Sequence, residues 1–142
     1  MRIRILLAIF FCLSFHAGAQ KVAKLTITDN LSSASRFSYS KPKPAAAKDH
    51  FYLLTDKGTQ VLFYAELLPG DSLSTKQWVK FTAYKTDGGK DEWVDDRNIE
   101  LKPGQSYAMV AMNFFTTGTF KVVVTGAKEG ENLAEGTFLI TK

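Results

Sequence analysis

From Phe51 onward, hydrophobic and polar residues alternate with a period of two, and Gly, Asp, Asn and Pro interrupt the alternation at short intervals. Trp78 to Lys85 carries Val79, Phe81 and Ala83 on one parity and Trp78, Lys80, Thr82 and Tyr84 on the other. Thr119 to Thr125 repeats the pattern with Phe120, Val122 and Val124, and Gly136 to Thr141 turns Phe138 and Ile140 inward. Successive side chains of an extended strand point to opposite faces, so each run predicts a half-buried strand. Phe51 to Thr55 and Gln60 to Leu68 flank Asp56-Lys57-Gly58-Thr59, which predicts a hairpin, and Asp87-Gly88-Gly89 after Lys85 predicts a second. Glu92 to Val94 and Arg97 to Leu101 predict two further short strands. Ser106 to Phe114 is apolar on both parities and reads as a strand covered on both sides, or as one short helix; the flanking Pro-Gly and Thr-Thr-Gly favour the strand. About eight short strands with regular turns and no long helix predict an all-β fold, an antiparallel two-sheet sandwich.

Ahead of this body, Lys24 to Thr28 alternates as a strand should, and Asp29 to Asp49 is rich in Ser, Pro and Lys. Lys41-Pro42-Lys43-Pro44 biases the backbone to polyproline II, so the segment reads as a linker or long loop, and as a crossover if the first strand pairs with the body. The expected organisation is a leader over 1–19, a strand and linker over 20–50, and a sandwich over 51–142. The leader carries Arg2 and Arg4, an apolar run from Ile5 to Phe15 too short to span a bilayer, and Ala17-Gly18-Ala19 ahead of a cut before Gln20. Acylation at Cys12 is disfavoured because Ile9-Phe10-Phe11 lacks the small residues of a lipoprotein signal. The expected location is the periplasm or the exterior, with no transmembrane segment after cleavage.

Cleavage removes 19 of 142 residues, taking Cys12 and His16, so a chain of 123 residues keeps no cysteine and only His50. Disulfide and thiol chemistry are excluded from that product. Loss of Arg2 and Arg4 lowers 18 basic residues to 16 against 14 acidic, a net +2 too weak to argue for nucleic acid. His50 beside Asp49 lacks a G-x-S-x-G turn or a cysteine to activate, which argues against catalysis. Asp87, Asp91, Glu92, Asp95 and Asp96 could offer oxygens to calcium, but their spacing misses the calcium-loop pattern and Lys90 and Arg97 intrude; a solvated hairpin tip is the simpler reading. Trp93, flanked by Glu92 and Asp95, is the residue least suited to a core, and with Trp78, Tyr84 and Tyr64 it supplies the material for a ligand or partner contact.

Leu101-Lys102-Pro103-Gly104-Gln105-Ser106-Tyr107 resembles the corner of immunoglobulin-like and fibronectin-type-III-like domains of secreted bacterial proteins, in which a Tyr hydroxyl bonds back to the turn. Gly118 to Val124 followed by Leu133 to Ile140 is similar to the final strand pair of such modules. If Tyr107 were the corner of the penultimate strand, one strand should follow it, whereas two are predicted; Phe120, the other corner position, has no hydroxyl. The resemblance implies a sandwich and no particular activity. The expected function is that of a non-catalytic exported module without a cofactor, recognising a protein of the bacterial cell envelope or, alternatively, a carbohydrate through its exposed tryptophans.

Overall fold

A computed structural model describes residues 22–32, 41–68, 77–126 and 131–142. The leader, the serines of 33–40, the Pro69-Gly70-Asp71 break and part of the last turn lie outside them. Eight strands are found among the described residues: β1 (Val22–Thr28), β2 (His50–Tyr52), β3 (Thr59–Leu67), β4 (Gln77–Lys85), β5 (Glu92–Leu101), β6 (Tyr107–Phe114), β7 (Gly118–Thr125) and β8 (Asn132–Thr141). They form a three-stranded sheet in the order β1-β3-β6 and a five-stranded sheet in the order β2-β8-β7-β4-β5. All pairings are antiparallel except β2 with β8.

The alternation predicted for β4, β7 and β8 is the alternation observed: Val79, Phe81, Ala83, Phe120, Val122, Val124, Phe138 and Ile140 are buried between the sheets. Phe138 is the hub of the core, within 5.2–5.7 Å of the rings of Phe51, Phe63, Phe114 and Phe120, which come from both sheets. Edge-to-face and offset contacts of this kind fix aromatic rings relative to one another. Gly136 leaves the gap through which β1 reaches β8, since a Cβ there would lie 2.8 Å from Ile27 Cδ1.

Three sequence expectations need correcting. Phe51–Thr55 and Gln60–Leu68 do not form a hairpin: β2 pairs with β8 and β3 with β1 and β6, and a 3-10 turn at Thr55–Lys57 carries the chain from one sheet to the other. Gly58, at φ 77°, closes that turn against the Phe114 carbonyl, where a side chain would collide. Glu92–Val94 and Arg97–Leu101 are one continuous strand, bulged against β4 between Ala83 and Tyr84. Of Ser106–Phe114, Tyr107–Phe114 is a strand, but only Ala108, Val110, Met112 and Phe114 are buried, because one face of β6 meets the core and Ala111 and Asn113 on the other are exposed.

β1 belongs to the sandwich, ahead of the 51–142 body anticipated from composition, and the Pro-Lys segment crosses from one sheet to the other. It does so as a strap over the outer face of the three-stranded sheet. Ser32 and Ala45 N–H groups donate to Lys43 and Asn30 carbonyls, the Thr28 hydroxyl donates to Ala46, and Lys48 N–H donates to Ile27. Tyr64 lies on the outward parity of β3 yet is only 1% exposed, its hydroxyl donating to the Pro42 carbonyl at 2.8 Å and its ring stacked on Tyr107 at 5.6 Å. Tyr107 therefore does not play the corner role that the resemblance implied. The Lys102–Gln105 turn is closed by Gln105, whose side chain accepts from Lys102 N–H and donates to the Tyr107 carbonyl.

Candidate functional site

The outer face of the five-stranded sheet carries Trp78, Tyr84 and Trp93 of the aromatic residues singled out in the sequence; Tyr64 is not available to a ligand, being buried beneath Pro42 on the other sheet. Core residues Val79, Phe81 and Ala83 fix the parity of β4, so Trp78, Lys80, Thr82 and Tyr84 face outward. Trp93 joins them through the bulge. Asp95 pairs with Ala83 but Trp93 pairs with Tyr84, so the extra residue, Val94, transfers Trp93 from the inner parity to the outer one. Trp93 is 60% exposed and Trp78 46%. Trp93 and Tyr84 thus stand side by side, whereas Trp78 is six residues along β4, roughly 20 Å away at the other end of the same face.

Two charged pairs frame these aromatics. The Lys121 ammonium lies 5.6 Å from the Tyr84 ring centroid and donates to Asp91 Oδ2 at 2.5 Å. Lys80 pairs diagonally with Asp96, the residue opposite Thr82, at 2.5 Å. The hydrogen bond to Asp91 raises Lys121 above its ordinary lysine value, and the hydrogen bond to Asp96 does the same for Lys80. Lys121 was not singled out in the sequence; its outward parity on β7 is legible there, but its place beside Tyr84 follows only from the β4–β7 register.

The acidic residues near the β4–β5 hairpin are dispersed among separate partners. Asp87 accepts from Thr119 N–H and lies 3.6 Å from Lys85, Asp91 holds Lys121, Asp95 holds Arg97 at 2.9 Å, and Asp96 holds Lys80. Among the described residues no three His, Cys, Asp or Glu side chains are grouped so that they could hold a metal ion. His50 is exposed at the β2 edge, with Nε2 2.7 Å from the Thr141 hydroxyl and its ring 4.6 Å from Tyr52. Asp49 contributes its backbone carbonyl to Leu139 N–H, not a carboxylate to the imidazole. A groove of about 630 Å³ opens beside His50 between Tyr52, Leu54 and Thr59, and the Lys48–Asp29 ion pair stands at its rim. The arrangement is an exposed aromatic and charged sheet face, and among the described residues the one imidazole, His50, lies at the far edge of the same sheet.

No family of known sequences and no curated protein matches this chain. Among solved structures, an immunoglobulin-like protein from Pseudomonas aeruginosa aligns over 89% of this chain and 99% of its own, with a TM-score of 0.53 and 15% identity. A superoxide reductase (neelaredoxin) from Ignicoccus hospitalis aligns over 87% of this chain and 82% of its own, with a TM-score of 0.42 and 11% identity. A β-glucosidase from Listeria innocua aligns over 84% of this chain but 16% of its own, with a TM-score of 0.43 and 10% identity. The likeness to the Pseudomonas protein is one of fold, and it shows that this chain is an immunoglobulin-like β-sandwich.

Proposed function

We propose that this protein is a non-catalytic recognition module, exported to the periplasm or beyond, that binds a protein of the cell envelope through the outer face of its five-stranded sheet. The observation that carries the reading is the pairing of Trp93 with Tyr84 on a face that no other described strand covers. Exposed aromatics contribute large contact area at low entropic cost and are enriched among residues that dominate interfaces. The leader sequence supports export. Among the described residues no helix is long and apolar enough to cross a membrane.

Capture from solubilised envelope tests the proposal. Wild-type protein recovers a stoichiometric partner, Trp93→Ala loses it, and Trp78→Ala, at the distant end, retains it. Recovery of no partner, or equal recovery by Trp93→Ala, removes the reading. A second reading, carbohydrate binding, is favoured by the polar pair of Lys121 and Asp91 beside the Tyr84 ring, since a stacked sugar needs donors and acceptors at its rim. It predicts that glycan titration shifts or quenches tryptophan emission. Flat titrations across a glycan array remove it.

A further inference from the structure

A sheet edge that stays unpaired invites another strand, and soluble proteins protect such edges with charge, proline, bulges or brevity. Among the described residues three of the four edges carry such protection. β1 has a register shift between Val22 and Lys24, β2 has three residues, and β5 bears Glu92, Asp95, Asp96, Arg97 and Glu100. β6 has none of these in its own sequence, and the charge beside it, Lys41, sits at its first residue, 5.9 Å from the Tyr107 ring centroid and bonded to the Ser106 carbonyl. The eight residues of β6, Tyr-Ala-Met-Val-Ala-Met-Asn-Phe, include no charge and no proline, and its register against β3 is unbroken from Thr59↔Phe114 to Glu66↔Tyr107. Among the described residues β3 is its one strand partner.

The hydrogen-bond phase shows which groups face outward. Leu67 N–H donates to the Ser106 carbonyl, in register with the β3–β6 ladder. Directly opposed residues in an antiparallel pair alternate between exchanging both bonds and exchanging none. Even-numbered residues of β6 therefore bond β3, while Tyr107, Met109, Ala111 and Asn113 turn their N–H and C=O groups to the free edge.

We propose that this edge is the interface with a second copy of this chain, the two β6 strands pairing antiparallel about a two-fold axis at Val110. In that register Tyr107 opposes Asn113 of the second copy and Met109 opposes its Ala111. All four outward residues of each strand find a partner, each opposed pair exchanges both bonds, and core-facing residues oppose core-facing residues. No charge meets a charge. The two three-stranded sheets become one continuous sheet of six. A foreign strand would draw its specificity from side-chain pockets along the edge, and Ala111 and Asn113 supply none. The self-match is what selects a second copy.

Sedimentation equilibrium over a hundredfold range of concentration, combined with amide exchange, tests the proposal. The expected result is a monomer–dimer equilibrium in which the Tyr107, Met109, Ala111 and Asn113 amides exchange more slowly as concentration rises. Ala111→Lys, at an exposed position whose N–H does not bond β3, leaves the circular dichroism and the thermal midpoint of the monomer unchanged and weakens association by about tenfold or more. Adding Met109→Glu to Ala111→Lys puts opposite charges across the two-fold axis and restores association. A protein monomeric throughout the range overturns the proposal, as does a dimer that survives Ala111→Lys or a double variant that stays dissociated. Slowed edge amides in a monomer mixed with an envelope extract also overturn it, in favour of strand donation by another protein.

Discussion

The outer faces of the two sheets have opposite fates. Each presents a tyrosine from an inner strand on its outward parity, Tyr64 on β3 and Tyr84 on β4. Tyr64 is roofed by the 41–46 strap, stacked on Tyr107 and bonded to the Pro42 carbonyl. Tyr84 is partly exposed, with the Lys121 ammonium over its ring and Trp93 opposite it on β5. The difference comes from the chain between β1 and β2, whose described residues 41–46 lie over the outer face of the three-stranded sheet before Lys48 bonds Ile27 and β2 joins β8. Pro42 and Pro44 suit that route: they remove two N–H donors from a segment in which the Lys43 and Ala46 carbonyls and the Ala45 N–H are met by Ser32, Thr28 and Asn30. One sheet face is thereby covered by the protein's own chain, and the other keeps Trp78 and Trp93 exposed.

Truncating each tyrosine gives the largest expected contrast. Tyr64→Ala is expected to cost about 3–5 kcal/mol, as for other buried aromatics, and Tyr84→Ala less than about 1 kcal/mol, both read from denaturant midpoints. Equal losses would show that the strap is no roof. Removing only the hydroxyl in Tyr64→Phe is expected to cost about 1 kcal/mol, the net worth of one hydrogen bond. The same variant has a signature in alkali. Burial, then the charge of Glu66, then Tyr107 push the Tyr64 phenol from 10.0 up to about 12. Between those values the unfolded chain gives up this proton and the folded one keeps it, so the contribution of Tyr64 is full below pH 10 and is lost as pH rises toward about 12. Tyr64→Phe should flatten that part of the stability profile.

On the open face, Trp93→Ala is expected to change stability by no more than about 0.5 kcal/mol while abolishing partner capture and removing the most quencher-accessible part of the tryptophan emission. The smallest effect belongs to the charged frame. Asp91→Asn should return Lys121 toward its ordinary lysine value, followed by nuclear magnetic resonance of the Lys121 side chain, and leave the unfolding midpoint essentially where it was.

Local signals carried much of this architecture. The β4–β5 hairpin and the β7–β8 pair were legible because alternation and turn chemistry agree over short stretches, with Asp87-Gly88-Gly89 supplying backbone at positive φ. The β2–β3 hairpin failed although its turn chemistry was apt, because β2 finds its partner about ninety residues away on β8, a distance that no local signal encodes. Composition also misled at β6, where Met109 and Ala111 fill outward positions; apolar side chains at a sheet edge resemble those of a doubly covered strand. At the candidate site, the polar neighbours of Trp93 were a sound indication of exposure. The face on which it lies was not legible, because parity from Ile99 and Asp95 points Trp93 inward and a single bulge reverses it. Asp95 and Arg97 keep that inner parity yet stay solvated, since the five-stranded sheet extends past the three-stranded one at β5.

The parallel pairing of β2 with β8 bears on how the domain would respond to load. β1 enters at Val22, at the pole where Leu67 ends β3, and β8 leaves at Thr141, at the opposite pole beside Tyr52. Tension drawn between those two points runs along the strands, so the β1–β3 and β2–β8 ladders are stressed in shear, many bonds together, where a hairpin pulled at its open end would unzip one rung at a time.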